Sequence, residues 1–431
     1  MKHKYKYHEF NQFLLLWSSQ SLSALGSSMT SFALIIWAYQ QTNSALSTAL
    51  LSICTYTPYV LFGLFAGAFC DRWNKKAVML VCDALAVFTT LIIGALWLCG
   101  NLAVWHLYIL NMINGFMNAL QQPASDVSIT LLTPKKLYHK ASSLRSLSNS
   151  VNTILTPMIA TALYTLAGMK MVLLFDITSC LIAWFTLLCL IRFPKVELEE
   201  EKEESVLKAT YHGLTYLWHN KGILQLILFL AMINLCASLS NAALPALVLS
   251  RNTQNAGYLG MVEGCAGIAN LAGSIYLLFA KQPKSRIRTI CNTLLFSMCT
   301  ENFFLAFGNR IELWCLGSLL GWCVIPAMNM NLDVILRSYI PIQMQGRVYA
   351  VRNTLQFFTI PIGYLLGGVL VDLVCEPWMA SQRSGSILTM LFGHYKGSGA
   401  AMLFCIIGIL GTIICLLFRR CKAMWETEKN L

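Results

Sequence analysis

Residues Gly67-Ala68-Phe69-Cys70-Asp71-Arg72-Trp73-Asn74-Lys75-Lys76 form a charged junction between two long apolar runs. One acid, Asp71, and three bases, Arg72, Lys75 and Lys76, fall within six residues of this junction. Lysine and arginine are concentrated in the cytoplasmic loops of membrane proteins. The junction therefore predicts an inner loop that joins two membrane-spanning helices.

The composition is that of a chain surrounded by lipid. Of its 431 residues, 57% are hydrophobic and only 12% are charged, whereas soluble domains carry about 25% charged residues. The net charge of +12 does not indicate a nucleic-acid partner, because the bases lie in short loops between apolar runs. The 16 cysteines are scattered without CxxC spacing and predict neither a disulfide framework nor a zinc site.

The sequence lacks the motifs of common enzyme chemistry. It contains no Gly-Lys dipeptide for a phosphate-binding loop, no His/Cys cluster for a metal and no Gly-x-Ser-x-Gly. We therefore predict no enzymatic activity and no cofactor. Residues 1–11 are basic and lead into a full-length apolar run without a small-residue cleavage site, so we expect them to be retained.

The apolar runs predict an all-α integral membrane protein with twelve transmembrane helices. A helix needs about 20 apolar residues to cross a bilayer. With this window the predicted spans are 13–38, 45–69, 77–99, 104–121, 147–167, 171–192, 223–249, 256–280, 288–307, 313–336, 348–373 and 399–418. They divide the chain into a six-helix half, 1–192, a linker, 193–222, and a second six-helix half, 223–431.

The linker has two parts. Residues 197–204 hold six glutamates and one lysine and predict a flexible segment. Leu207, Tyr211, Leu214 and Trp218 then recur at helical spacing, which predicts an amphipathic cytoplasmic helix. That helix lies either in the inner membrane interface or on the protein surface.

The distribution of bases predicts the orientation in the membrane. With the N-terminus inside, 26 of the 31 lysines and arginines fall on the inner side and 5 on the outer side. This excess places both termini in the cytoplasm.

Three groups of residues carry a family resemblance beyond the opening junction. They are Gln122-Pro123-Ala124, then Leu132-Thr133-Pro134 with Pro157, and in the second half Ile340-Pro341, Gln345-Gly346-Arg347-Val348 and Pro361 through Asp372. With the junction they resemble the major facilitator superfamily over nearly the whole chain, and more narrowly its macrolide-efflux (Mef-type) and enterobactin-exporter-like branch. The resemblance implies two pseudo-symmetric six-helix halves and transport by alternating access.

Three positions depart from the family pattern. Asn74 stands where glycine is usual, and we expect the turn to survive because asparagine tolerates a left-handed backbone. Asn111 lies near the place where many facilitator exporters carry an arginine tied to proton coupling, and Thr156 replaces the glycine usual before Pro157 in drug antiporters.

The resemblance also implies a cytoplasmic charge network that acts as a gate. The predicted members are Gly67, Asp71, Arg72, Lys75, Lys76, Asp126 and Arg347. Asp126 is the predicted partner of Arg72, because it follows Pro123 at the inner end of the fourth span. Other charged residues assigned to the inner ends of spans are Asp83, Asp333, Arg337 and Asp372.

Glu263 and Glu301 are the candidates for proton coupling. Ionisable residues at membrane depth are energetically unfavourable and often functional. Glu263 has glycines around it in the eighth span, as expected of a helix that lines a cavity. The alternatives are structural: a polar neighbour pairs with Glu263, or Thr300 and Asn302 satisfy Glu301.

Amides and one acid on the predicted spans are candidates for a substrate cavity. They are Gln20, Asn111, Asn114, Asp176, Asn234 and Asn241. Such groups among aromatic and methionine side chains suit a bulky amphipathic ligand. Polar contacts between helices would produce the same pattern, and Asp176 would equally pair with Lys170.

The expected function is secondary active transport. The chain would export a drug-like amphipathic small molecule, either one macrolide-like compound or several drugs (multidrug efflux), in exchange for protons. The alternatives are a siderophore or peptide-metabolite exporter and a membrane sensor that does not transport. The expected partners are the small-molecule substrate, protons and membrane lipid, with no nucleic acid. We expect a monomer in the cytoplasmic membrane.

Overall fold

The computed structural model describes residues 2–133, 138–193, 206–251, 256–280, 283–340 and 342–429. Across these ranges the chain is helical and no residue lies in a β-strand. Side chains are described for most of these residues. Gly67, Asp71, Arg72, Asp126 and Arg347 of the predicted gate lie outside the residues so described, as does Arg337.

The chain forms two compact units, and the first contains 1–35 and 54–204. Its helices are α1 (Lys2–Thr42, as far as Ile35), α2 (Ala45–Arg72, from Cys54), α3 (Lys75–Leu98), α4 (Val104–Leu132) and α5 (Tyr138–Phe185), with a π-helical turn at Thr186–Leu190. Within this unit α3 packs against both α4 and α5.

The second unit contains 36–53 and 205–431. Besides the end of α1 and the start of α2, it holds α6 (Val206–His219), α7 (Lys221–Arg251), α8 (Ala256–Phe279), α9 (Arg286–Phe307), α10 (Ile311–Trp322), α11 (Ile325–Tyr339), α12 (Ile342–Phe357), α13 (Thr359–Val369), a π-helical turn at Leu370–Cys375, α14 (Glu376–Ala380), α15 (Ile387–Phe392), α16 (Ser398–Arg419) and α17 (Lys422–Lys429). In this unit α7 packs against α13 and α16, and α10 against α8 and α9.

Asn74 begins α3 as its N-cap. Its side chain accepts hydrogen bonds from the backbone N–H groups of Lys76 at 3.0 Å and Ala77 at 3.4 Å. Its φ is −64°, so the expected left-handed backbone is wrong. Asparagine is among the best N-cap residues because its oxygen satisfies N–H groups that have no partner inside the helix. The turn thus persists by capping.

Two of the predicted helical regions are interrupted near a glycine or a proline. Gly168 has φ 75° and divides α5 into two segments, which match the predicted fifth and sixth spans. The predicted tenth span is divided at 323–324, after which Pro326 stands in the first turn of α11. Proline fits a first turn because its missing N–H has no partner there.

Nine segments of the described residues are long and apolar enough to cross a membrane. One of them, Val151–Leu190, has 40 residues and contains the predicted fifth and sixth spans. The all-helical membrane architecture expected from the sequence is therefore present, while the count of twelve remains a prediction.

Close helix packing in the first unit depends on Gly115 of α4. A Cβ atom at this position would overlap the backbone carbonyl of Thr55 in α2, whereas a Cβ atom at Gly63 would meet nothing within 4 Å. The two glycines differ in surroundings but not in their helical conformation.

We predict that Gly115→Ala lowers the unfolding temperature of the purified protein in detergent, because overpacking costs about 1–3 kcal/mol. Gly63→Ala should leave it unchanged or raise it, since alanine is the better helix former. Equal unfolding temperatures for the two variants would contradict the close contact at Gly115.

Candidate functional site

Asp83 of α3 joins three helices of the first unit. Gln20 of α1 donates its side-chain N–H to Asp83 Oδ2 at 2.8 Å, and Gln121 of α4 donates to Oδ1 at 2.6 Å. Asp83 is 4% exposed. Both oxygens of a buried acid are therefore satisfied by neutral amide groups from the neighbouring helices.

Asp176 of α5 lies in a shell of hydroxyl groups. Ser27 of α1 donates to Oδ1 at 2.9 Å, and Thr90 of α3 donates to Oδ2 at 3.0 Å. The Cys180 thiol, one turn along α5, also donates to Oδ1 at 3.4 Å. Asp176 is 1% exposed, so this acid ties α5 to α1 and α3 in the interior of the unit.

The structure places four of the six cavity candidates in contacts between helices. Besides Gln20 and Asp176, Asn114 accepts from the Thr89 hydroxyl at 3.1 Å, and Asn234 donates to the Gln356 carbonyl at 3.0 Å. Asn111 is half-buried and Asn241 is exposed. The hydrogen bonds of Asp176 go to hydroxyl and thiol groups, and Lys170 is exposed.

Glu301 of α9 is held by the neighbouring helix α10. The indole N–H of Trp322 donates to Glu301 Oε1 at 2.9 Å. The donors expected in the structural alternative are wrong, because Thr300 donates to the Phe296 carbonyl and the Asn302 amide donates to the Met298 carbonyl. An aromatic N–H was the donor that sequence reasoning missed.

Glu263 of α8 is the exception among these acids. It is half-buried, and no described residue donates a hydrogen bond to its carboxyl group. Glu263 lies on α8 and Glu301 on α9, and both of these helices pack against α10. The two proton-coupling candidates therefore occur together in the second unit.

Lys76 is the member of the predicted gate whose contacts are clearest. Its ammonium group donates to the backbone carbonyls of Leu188 at 3.0 Å and Ile191 at 2.7 Å. Leu188 belongs to the π-helical turn that ends α5, and Ile191 follows it. Carbonyl groups at such a helix end lack partners within the helix. Lys76 therefore caps this helix end, as a cation at a helix C-terminus should.

Asp372, which we expected at the inner end of its span, lies beside the start of α2, the outer end of that helix under the predicted orientation. The Ser44 hydroxyl donates to Asp372 Oδ2, and the backbone N–H groups of Ala45 and Leu46 donate to Oδ1 at 3.0 Å and Oδ2 at 2.8 Å. Ser44 and Asp71 stand at opposite ends of α2. The predicted eleventh span runs from inside to outside, so its direction alone places Asp372 near the outer end.

Two further polar features surround Asp372. Glu376 accepts from the backbone N–H of Ala400 at 3.2 Å, in the first turn of α16. A cavity of about 680 Å³ is lined by Asn43, Ser44, Asp372, Glu376 and other residues of the second unit. Both carboxyl groups thus border one cavity and each caps the start of a helix.

A second polar cluster holds the end of α7. Arg251 donates to the backbone carbonyls of Gly308 at 3.1 Å and Phe392 at 2.7 Å, and its guanidinium lies 4.9 Å from the centre of the Tyr395 ring. Tyr395 in turn donates to the Asn309 side chain at 3.1 Å. These bonds fix the loops after α9 and α15 to α7.

A family model described as Major Facilitator Superfamily matches residues 16–364. The chain belongs to the Major Facilitator Superfamily. Macrolide efflux protein A of Streptococcus pyogenes is 23% identical over 376 residues, which cover 86% of this chain and 92% of that protein.

Solved structures share this facilitator fold. The nucleoside transporter NupG has a TM-score of 0.68 at 13% identity, covering 96% of this chain and 99% of that one. A D-xylose-proton symporter has a TM-score of 0.63 at 13% identity, covering 95% and 97%. With the apolar helices, membership of the facilitator family makes the chain a multi-pass membrane transporter rather than an enzyme.

We predict that Asp176→Ala lowers the unfolding temperature of the facilitator in detergent. It leaves the Ser27 and Thr90 hydroxyls without their acceptor, and a buried unsatisfied polar group costs about 1–3 kcal/mol. Asp176→Asn keeps one acceptor oxygen and should have a smaller effect, and Glu312→Ala, at an exposed residue of α10, is the control. A rise in unfolding temperature would instead mark Asp176 as an acid that is retained at the expense of stability.

Proposed function

We propose that this facilitator exports a drug-like amphipathic small molecule in exchange for protons. The observation that carries the proposal is the similarity to Macrolide efflux protein A, because it extends over 86% of this chain and 92% of that protein. The name of that relative supports efflux as the direction of transport and a macrolide-like molecule as the first substrate to test.

The proposed coupling site is the pair Glu263 and Glu301. A site that carries protons needs a group that both gains and loses a proton within the transport cycle. The carboxyl of Glu263 has no described hydrogen-bond donor, whereas Glu301 is oriented by Trp322. The helices that carry the two acids, α8 and α9, both pack against α10, which supports a shared role.

Alternating access is the proposed transport cycle. The substrate would bind in a midplane cavity, and rocking of the two six-helix halves would expose it to each side in turn. The cytoplasmic gate proposed from the sequence includes Asp71, Arg72 and Asp126, together with Lys76, whose described bonds cap the end of α5. The excess of bases on the predicted inner side supports cytoplasmic termini and insertion in the cytoplasmic membrane.

The direct test is accumulation of a labelled macrolide and a panel of fluorescent dyes in cells that express the chain. Lower accumulation that a protonophore reverses would support proton-driven efflux. Unchanged accumulation across the panel, in cells where the protein is present in the membrane, would refute drug efflux and direct the search to siderophore or peptide metabolites.

We predict that Glu263→Gln abolishes protonophore-sensitive efflux, because glutamine keeps the size of the side chain but carries no exchangeable acidic proton. Glu301→Gln should reduce efflux as well, since Trp322 would then orient a neutral amide. Glu312→Gln, at an exposed glutamate, is the matched control and should transport at the normal rate. Wild-type efflux by the Glu263→Gln variant would remove this residue from the mechanism.

A further inference from the structure

We infer that Asp372 is a positioning residue for transport: it holds residues 36–53 in the second unit and must release them before the outer end of the protein opens. The inference rests on the proposed alternating access, but its central contact is a feature of the structure. The contact joins an acid of the predicted eleventh span to the start of the second.

The contact is a carboxylate at the start of a helix. The first N–H groups of a helix have no partners within it and carry partial positive charge. Asp372 accepts two of these groups in α2, from Ala45 and Leu46, and also accepts from the Ser44 hydroxyl. Hydrogen bonds to an ionised acceptor are roughly twice as strong as those between neutral groups. Asp372 therefore ties this helix end to the second unit through three hydrogen bonds.

The backbone around Asp372 is shaped for this contact. Asp372 lies in the π-helical turn Leu370–Cys375, and such turns occur often at functional sites. Just before the turn, a Cβ atom at Gly368 would lie 2.7 Å from the Leu46 Cα atom and 3.1 Å from the Ala49 Cβ atom. The close approach permitted by this glycine brings the carboxyl group within reach of the first N–H groups of α2.

A second tie holds the end of α1. The Tyr39 hydroxyl donates to the Ala246 carbonyl of α7 at 3.4 Å, and Tyr39 is 2% exposed. Residues 36–53 are thus bound to α7, α13 and the π-helical turn. By sequence, however, they end the first span and begin the second. Rocking of one six-span half against the other therefore requires this segment to leave the second unit.

Water can replace the protein partners as the contact opens. Ser44 and Asp372 both border the cavity of about 680 Å³, and Asp372 is only half-buried. The carboxylate and the N–H groups of Ala45 and Leu46 can each bond to water after they separate. The contact is consequently strong when closed but can open reversibly.

Glu376 provides a matched control. It borders the same cavity and also accepts from a helix start, the N–H of Ala400 in α16. Glu376 and Ala400 both belong to the second half of the sequence, so their contact need not break when the halves rock. Loss of either carboxylate removes a cap, but only loss of Asp372 should release residues 36–53.

The test is hydrogen exchange, followed by mass spectrometry, on the purified full-length protein in lipid nanodiscs. The variants are Asp372→Asn, Glu376→Gln and Ser44→Ala. For Asp372→Asn we expect exchange to be about tenfold faster or more throughout 36–53, the change that corresponds to loss of one charge-assisted hydrogen bond. Ser44→Ala keeps the carboxylate and should give a smaller change over the same residues. Glu376→Gln should affect only the start of α16.

The extent of the change separates a gate from a local cap. Faster exchange confined to residues 44–47 in Asp372→Asn would overturn the inference, as would the same pattern of exchange over 36–53 in Glu376→Gln. Exchange requires no substrate, so the result stands even when no exported compound is found. Where one is found, Asp372→Asn should also change its efflux rate, and an unchanged rate would overturn the role in transport while leaving efflux itself intact.

Discussion

An acid inside a membrane-spanning helix depends on the protein for its hydrogen-bond donors, because hydrocarbon supplies none. Asp83 accepts hydrogen bonds from amide groups, Asp176 accepts them from hydroxyl groups, and Glu301 accepts one from an indole N–H. In each case a donor stands on a different helix from the acid. Satisfying these acids therefore decides which helix faces meet. Close packing at small residues such as Gly115 adds to this selection.

Glu263 breaks this pattern, and that difference gives it significance. An acid whose donors all come from neighbouring helices stabilises one arrangement of those helices. No described residue donates a hydrogen bond to Glu263, so this acid adds no such bond between the described helices. A polar group at membrane depth that is not used for packing is more readily explained by function. By contrast, the hydrogen bonds of Asp176 tie its helix to α1 and α3, and its role in a substrate cavity stays a prediction.

The sequence predicts the helices far better than the contacts between them. Runs of about 20 apolar residues in so apolar a chain have few alternatives to membrane-spanning helices, and Gly168 marks a break where the residues themselves favour one. By contrast, Gln20 and Asp83 are separated by 63 positions, and no local pattern states that they meet. Asn114 and Asn234 have the composition of cavity residues, yet they bond between helices. The position of Asp372, by contrast, was predictable from the sequence, because the predicted direction of its span places it at the outer end.

The second helix explains why a carboxylate at a helix start suits a contact that must break. Under the predicted orientation, Asp71 lies at the inner end of α2, and Asp372 caps its outer end. Alternating access needs two states that differ by only a few kcal/mol, so neither end can be closed by a contact too strong to open. A buried pair of opposite charges would leave an uncompensated ion on separation. When Asp372 separates from α2, only one ion needs hydration, because the N–H groups are neutral and the carboxylate borders a cavity. Asp372 thus combines a strong acceptor with donors that are readily released to water.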